Sequence, residues 1–468
     1  MAYEIPADLM VSVSGVRGRV GAGLTPEVVV RFAAAFGALL REEAERPLVV
    51  LARDSRTSGP MFARAATAAL QSVGCDVIDA GLAPTPSALF AVRNHAADGA
   101  IVVTASHNPV EWNALKFASR SGMFLDAEEG ARMRAYLGDR NPPRAGWDGL
   151  GGVRGDETAV ERHLDAVLAV PYLDRDALQL RRFRVAVDCV RGAGAVLLPR
   201  LLRELGCDVI GINLEPDGRF PRPPEPVAAN LHDLERLVRE TESDIGMATD
   251  PDADRLSLVD ERGRAIGEDF TLALAARLVL RHKPGAVVTN LSTSRVLEDV
   301  AAEFDVPLQR APVGEINVAR RMQEVGAVIG GEGNGGVILP DVHYTRDAAV
   351  AAALVLQLMA EQGQPLSELV GRHETYTIVK AKLPRDVGSP ERAYAVLESR
   401  LGAPAADRQD GLRLEWAAER RWLHVRPSGT EPILRIIAEA PTERAARALV
   451  EEARRALSAD DAAASGGR

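Results

Sequence analysis

Lysine is nearly missing from this chain: of 56 basic residues only Lys116, Lys283, Lys380 and Lys382 are lysines, and the other 52 are arginines. A lysine inside a motif therefore stands out. Cysteine is scarcer still. Cys75, Cys189 and Cys207 are odd in number and show no CxxC spacing, which argues against a disulfide framework or a thiolate zinc site and fits buried, reduced thiols. Positive charge is in deficit, with 56 basic against 66 acidic residues and a net charge of −10, so no nucleic-acid partner is expected. Long apolar runs are missing too. The most apolar windows, 28–40 and 348–359, are interrupted by Arg31 and Gln357 and fall short of the roughly 18 uninterrupted residues of a spanning helix. The opening MAYEIPADLM has neither the basic nor the apolar stretch of an export signal. A cytoplasmic location and no membrane partner are expected. Nowhere does GxxxxGK[ST] occur, which removes a P-loop nucleotide enzyme.

What is present is an ordinary globular composition, 46% hydrophobic and 26% charged over 468 residues, enough for three or four domains at roughly 150 residues each. Three segments share one pattern, beginning PLVVLARDSRTSG at 47, RFRVAVDCVRGAG at 182 and GAVVTNLSTSR at 285. In each, a β-branched strand ends at Asp54, Asp188 or Asn290 and a small-residue turn and an amphipathic helix follow. A second strand is expected near Asp76, Asp208 or Asp305. Strand, helix and strand in one direction predict parallel pairing with right-handed crossovers. Each unit then runs into a further short strand that feeds a polar loop: GAIVVTASHNP (99–109), DIGMATDPDADR (244–255) and GAVIGGEGNGG (326–336). Open α/β sheets bind ligands beyond the carboxyl ends of their strands, so three equivalent loops are expected to face one cleft. After about 371 the pattern becomes TIVKAKLP, GLRLEW, RWLHV and ILRIIAEA with helices between and after, which predicts a small α+β domain with antiparallel strands. The fold class is thus α/β, three repeated mixed α/β domains followed by a small α+β domain around a central cleft. The expected divisions are 1–150, 151–257, 258–370 and 371–457, with a disordered tail at 458–468.

Four motifs carry chemistry. TASHNP (104–109) puts Ser106 at a strand-to-loop corner; a serine needs a base, a metal or prior phosphorylation to react, and His107 and Lys116 are the local candidates. DPDAD (250–254), followed by Arg255, offers Asp250, Asp252 and Asp254 as hard oxygen ligands suited to Mg2+. An EF-hand is rejected because Arg255 stands where glycine is needed, Pro251 stiffens the second position, and RLSLVDERGR reads as strand and turn; a solvated acidic turn is the remaining alternative. GEGNGG (331–336) matches GxGxxG, but a dinucleotide fingerprint opens a helix and VILPDVHY does not. Glu332 and Asn334 instead suit the reading of sugar hydroxyls. RPSGTEP (426–432) offers successive backbone N–H groups and two hydroxyls between Arg426 and Arg435, an anion nest of phosphate size.

In this order the four motifs resemble those of the α-D-phosphohexomutase superfamily, and the resemblance spans essentially the whole chain. It implies that Ser106 carries the phosphoryl group and that Asp250, Asp252 and Asp254 hold Mg2+ with a phosphate oxygen of Ser106. It further implies that Glu332 and Asn334, beside Arg255, contact the sugar, and that Arg426, Ser428, Gly429, Thr430 and Arg435 hold the phosphate that is not reacting. Arg17 in SGVRG (14–18) and Lys116 in WNALKF match the positively charged positions that flank the phosphoserine. Departures are Asn334 and Gly336, where many relatives carry Ser and His, and Ala114, where Gly is usual. The form GEGNGG, like PVGEINVAR (312–320), resembles archaeal-type phosphoglucosamine mutases; Glu315 there either faces a substrate ammonium or is a plain surface residue. The expected function is a phosphosugar mutase working between O6 and O1 through a 1,6-bisphosphate, which also serves as activator. Glucosamine phosphate leads as substrate, mannose and glucose phosphates follow, and the protein is expected as a monomer or homodimer. A metal-dependent sugar phosphatase and a non-catalytic sugar-phosphate binder are the competing classes.

Overall fold

A computed structural model of the chain describes residues 5–138, 141–373, 376–384, 390–427 and 433–465. Three of its four sheets repeat one topology. In the first, Leu48–Arg53 pairs in parallel with Asp76–Leu82 on one side and Gly99–Val103 on the other, and Trp112–Ser119 returns antiparallel beside Gly99–Val103. In the second, Arg184–Asp188 lies between Asp208–Ile212 and Ile245–Thr249, with Leu256–Val259 returning. In the third, Val287–Asn290 lies between Leu308–Ala311 and Ile329–Glu332, with Gly336–Ile338 returning. The second strand of this unit starts at Leu308 and not near Asp305, because Asp305 takes a φ of 53° in the turn that ends the preceding helix. The first sheet is widened to seven strands by Met10–Val11 and Gly15–Arg19 at one edge and Val153–Gly155, past residue 150, at the other.

The inner strands are apolar without alternation because helices cover both faces of the sheets: Gly99–Val103, Ile245–Thr249 and Val287–Asn290 are buried at every position. Each central strand closes on the same device. Asp54 Oδ1 accepts from the Arg56 N–H at 2.9 Å, Asp188 Oδ1 from Val190 at 2.8 Å and Asn290 Oδ1 from Ser292 at 2.8 Å. An Asx side chain that satisfies the N–H two residues on turns the backbone there, which is the physical content of the repeat. The three long loops likewise share one place, between the third strand of a unit and its returning strand. Each holds one residue in the left-handed region: Ser106 at φ 47°, Ala253 at 53° and Gly335 at 87°. For the two that are not glycine this conformation costs on the order of 1–3 kcal/mol, and such residues cluster at functional sites.

The second and third units share one continuous apolar core built on the helices Asp269–His282 and Ala348–Gln362. The latter is capped by Asp347, which accepts from the Ala349 and Val350 N–H groups, and ends at Gly363 with a φ of 62°. The last sheet is antiparallel throughout, in the order Thr377–Pro384, Ile433–Ala440, Arg421–Pro427, Leu412–Trp416 and Ala405–Asp407. Its closing helix runs Glu443–Ser465, so the disorder expected over 458–468 is corrected for 458–465. Alanine there sustains helix without an apolar face, having the highest intrinsic propensity. No helix among the described residues is long and apolar enough to cross a membrane.

Candidate active site

Ser106 sits at its corner under tight control. Thr104 Oγ1 accepts from the Ser106 N–H at 3.0 Å and itself donates to Asp54 Oδ2 at 2.7 Å, so the first Asx turn anchors the serine loop. From the same turn Arg56, fully buried, donates to the carbonyls of Ser106 (2.6 Å), Asn108 (2.7 Å), Pro109 (2.7 Å) and Trp112 (2.9 Å), and to Asp54 Oδ2 at 3.0 Å. The Ser106 hydroxyl donates to Asp250 Oδ2 at 2.7 Å, and His107 Nδ1 lies 3.4 Å from it. Arg17, on the strand beside that of Lys116, donates to Asn108 Oδ1 at 3.0 Å.

Asp250, Asp252 and Asp254 are all 0% exposed, which removes the solvated acidic turn. Their nearest carboxylate oxygens lie within 4.8 Å of one another. Lys116 Nζ stands 2.7 Å from Asp252 Oδ2 and 3.7 Å from Asp254 Oδ2. Thr85 locks the loop to the first unit, its Oγ1 donating to Asp252 Oδ2 at 2.7 Å and its N–H to the Asp252 carbonyl at 2.9 Å. Burial, then the neighbouring Asp254 and Asp252, push the Asp250 carboxyl well above its ordinary range. Burial also acts on Asp252, but the Lys116 ammonium and hydrogen bonds outweigh it and hold that carboxyl below its usual range. Asp252 Oδ1 and Asp254 Oδ1 are buried and accept no hydrogen bond. Three crowded carboxylates with two buried oxygens that accept no hydrogen bond from the described residues form a donor set suited to a hard divalent cation.

The GEGNGG loop meets the strand that follows the aspartate loop: the Leu256 N–H donates to the Gly335 carbonyl at 3.0 Å. Glu332 Oε1 accepts from Asn290 Nδ2 at 2.8 Å and the Gly314 N–H at 3.1 Å, and Asn334 Nδ2 lies 3.3 Å from Glu332 Oε2. The loop is a hairpin, Ile329–Glu332 against Gly336–Ile338, with no helix opening from it, so a dinucleotide fingerprint is absent. Arg255 stands between the loops, its Nη1 3.5 Å from Glu225 Oε1 and its Nε 3.6 Å from Asp254 Oδ1. Ser428, Gly429 and Thr430 lie outside the described residues. Their flanking arginines are described: Arg426 pairs with Asp410 at 3.1 Å and faces Arg435 in register across the last sheet. Asp410 also accepts from the Val313 N–H at 3.0 Å, tying the last domain to the third.

The cations depress one another. Arg255 first, then burial and Arg17, lower the His107 ring to about 2, so it stays neutral. Burial and Arg255 lower Arg17, with a further contribution from Arg435, whose charge therefore reaches the cleft. Lys116 is disfavoured by burial, yet Asp252 and Asp254 raise it and keep it an ammonium.

Three further residues belong to this site and no motif pointed to them. Arg56 and Asp54 lie in DSR (54–56), whose signal was the repeated Asx position. Arg346 donates to both Asp254 and Glu332; its one legible signal is that it is the sole cation in DVHYTRDAA. Glu315 is neither a surface residue nor free for a ligand: it is buried and bound by Thr345 and by the Arg346 N–H at 2.9 Å.

Family models match along the chain in order: phosphoglucomutase/phosphomannomutase α/β/α domain I at residues 9–139, domain II at 161–263, domain III at 267–376, and the C-terminal domain at 379–456. Among similar proteins, a phosphoglucomutase/phosphomannomutase of Thermococcus kodakarensis is 41% identical over 93% of this chain and 96% of its own length. A probable phosphoglucosamine mutase of Methanopyrus kandleri is 40% identical over 94% and 95%. A phosphoglucomutase/phosphomannomutase family protein from Burkholderia thailandensis superposes with a TM-score of 0.83 at 27% identity, over 96% of each chain. The fold is shared at 16% identity and a TM-score of 0.60, over 98% and 96% of the two chains, by an Aspergillus fumigatus N-acetylphosphoglucosamine mutase solved with GlcNAc-6P and magnesium. With its four domains matched in sequence, one topology used three times, and relatives aligned over more than nine-tenths of its length, the chain belongs to the phosphoglucomutase/phosphomannomutase family and is a phosphohexomutase.

Proposed function

We propose that this mutase carries its reacting phosphoryl group on Ser106 and moves it between O6 and O1 of a hexose, with glucosamine 6-phosphate and glucosamine 1-phosphate as the leading pair. The observation that carries the mechanism is the Ser106 hydroxyl, held on a left-handed corner and donating to Asp250 at 2.7 Å with the Lys116 ammonium on the same aspartate loop. In the forward half-reaction the Ser106 Oγ–P bond breaks as a sugar O–P bond forms, and the proton of the attacking sugar hydroxyl ends on Ser106 Oγ, giving the 1,6-bisphosphate. In the return the Ser106 hydroxyl takes the phosphoryl group from the other end as that sugar O–P bond breaks, and its proton ends on the sugar oxygen released. A hexose 1,6-bisphosphate activates by loading Ser106 in that return step.

Mg2+, held by Asp250, Asp252, Asp254 and a phosphate oxygen on Ser106, would supply Lewis-acid neutralisation of the transferring group. Lys116 remains charged and stabilises the same developing negative charge. Arg17, fixed through Asn108, flanks the serine from the other strand. His107 stays neutral and serves as a hydrogen-bonding neighbour of Ser106. Glu332 and Asn334, with Arg255, orient the sugar, and Arg426 and Arg435, with Ser428, Gly429 and Thr430, hold the phosphate that does not react. A second phosphate site, separate from Ser106, suits a bisphosphate that must turn end for end, whereas removing a single phosphate to water does not require one. We assign the protein to the cytoplasm, as a monomer or homodimer; the domain divisions expected near 150 and 257 shift past Val153–Gly155 and Leu256–Val259, which complete the first and second sheets, and the one near 370 is kept.

A second reading, mannose or glucose phosphate as substrate, is favoured by one observation. The Glu315 carboxylate is occupied by Arg346 and Thr345, so it is not a free partner for a C2 ammonium. Phosphorus NMR of the purified protein with Mg2+ and a trace of hexose 1,6-bisphosphate, given each 6-phosphate separately beside Ser106→Ala, tests both readings. A 1-phosphate resonance lost in the variant is expected, and the fastest sugar names the substrate. Release of inorganic phosphate alone would overturn the mutase reading.

A further inference from the structure

Arg346 stands where the metal loop and the sugar loop meet, and the mechanism above gives it no task. Its side chain is 9% exposed. Nη2 donates to Asp254 Oδ2 at 2.5 Å and Nη1 to Glu332 Oε2 at 2.6 Å, so one planar guanidinium spans a carboxylate from each loop. Behind it, Glu315 Oε2 lies 3.2 Å from Nε, and Glu315 is itself fixed by Thr345. Burial disfavours the cation, but Asp254, Glu315 and Glu332 outweigh it, so the charge is permanent. With Oδ2 of Asp254 taken by Arg346, Oδ1 is left buried without a hydrogen bond among the described residues, its nearest cation being Arg255 Nε at 3.6 Å.

The room for this arginine comes from Gly336. A Cβ at that position would lie 2.2 Å from Cδ and 2.8 Å from Cγ of Arg346. A side chain at 336 and the stem of Arg346 therefore exclude each other. The departure to glycine in GEGNGG opens the volume that the arginine fills.

We propose that Arg346 is a positioning residue for both loops at once: it aims Asp254 at the metal and Glu332 at the sugar, and position 336 is glycine to admit it. The inference rests on the mutase reading, which supplies what those two carboxylates bind. An arginine fork is suited to the task because its donors sit in fixed relative geometry, unlike the single point charge of lysine.

The test pairs two affinities. Mn2+ binding is measured by calorimetry on unphosphorylated protein, and KM and kcat are measured with the best sugar phosphate. Arg346→Met is expected to raise both the Mn2+ Kd and the sugar-phosphate KM by roughly tenfold or more, the usual scale for residues that orient a metal ligand. Arg346→Lys should recover one of the two and not both. Gly336→Ala keeps the arginine and its charge while displacing its stem, and should show the same paired loss. Combined with Arg346→Met it should add nothing further, because both changes act on one contact. Wild-type values of both affinities in Gly336→Ala, or a loss confined to one of them in Arg346→Met, would overturn the proposal. A wild-type protein that neither binds Mn2+ nor turns over would fell the mutase reading together with it, whereas active variants with unchanged affinities would fell this inference alone.

Discussion

The Arg56 guanidinium donates to the carbonyl of Ser106 at 2.6 Å, reaching across fifty residues of chain to hold the corner on which the serine stands. It is 0% exposed and ties three further carbonyls of the same loop to the Asp54 carboxylate. Left-handed φ at a serine persists only when its surroundings over-determine it, and Arg56 is the main part of those surroundings.

Removing this arginine strands a buried carboxylate. Arg56→Met is expected to lower the stability of the first domain by about 3–5 kcal/mol, the scale for breaking a buried ion pair from one side, and to lower kcat through the loosened serine loop. Arg56→Lys, with one point charge for five acceptors, should recover little. Calorimetric unfolding and turnover read the two effects, and wild-type unfolding in the methionine variant would show that the loop holds without it.

Lys116 reaches the aspartate loop from the strand Trp112–Ser119, its ammonium 2.7 Å from Asp252. Lys116→Met should reduce kcat by roughly 10²–10³, the scale of losing one preorganised electrostatic contact to the transition state, with KM changed far less. A change in KM alone would place the lysine in ground-state binding.

Asp269 makes stability depend on pH. Half-buried at the start of its helix against Gly333 of the GEGNGG loop, it accepts from the Ser294 N–H at 2.8 Å, and desolvation pushes its carboxyl up to about 7 from 3.8. Between pH 4 and 7 the folded protein keeps a proton that the unfolded chain has lost, so this group makes stability fall as pH rises through that window and level off above it. Asp269→Asn keeps the acceptor and removes the titration. It should match wild type near pH 4 and exceed it at pH 8 by up to about 4 kcal/mol, roughly three pKa units at 1.36 kcal/mol each being the ceiling for a group that water partly screens. Parallel stability curves for the two proteins would refute the assignment.

His107 should not titrate in the physiological range. In unphosphorylated, metal-free protein its ring carbons are expected to hold constant NMR shifts from pH 8 to 5, since Arg255, burial and Arg17 keep the ring neutral. A midpoint near 6.5 would mean that the arginines stand farther away in solution.

Much of this protein is legible before any folding. The triple repeat is visible because an Asx residue must end each central strand at Asp54, Asp188 and Asn290, and because sheets covered on both faces need unbroken apolar strands. TASHNP, DPDAD and GEGNGG are legible because their chemistry is local: each residue set lies within one turn. RPSGTEP at 426–432 is legible for the same reason, its residues being neighbours in the sequence.

Tertiary structure alone decided which cations serve the site. With 52 arginines in the chain, composition hides Arg56 and Arg346 among the rest, and their partners lie elsewhere: Arg56 reaches the carbonyl of Ser106, and Arg346 sits 92 residues from Asp254. The same holds for Glu315, which reads as a surface or substrate-facing acid until Arg346 and Thr345 are seen to occupy it. Strand periods and turn residues are written into neighbouring positions, whereas the worth of a buried charge depends on the opposite charge that folding brings within 3 Å of it.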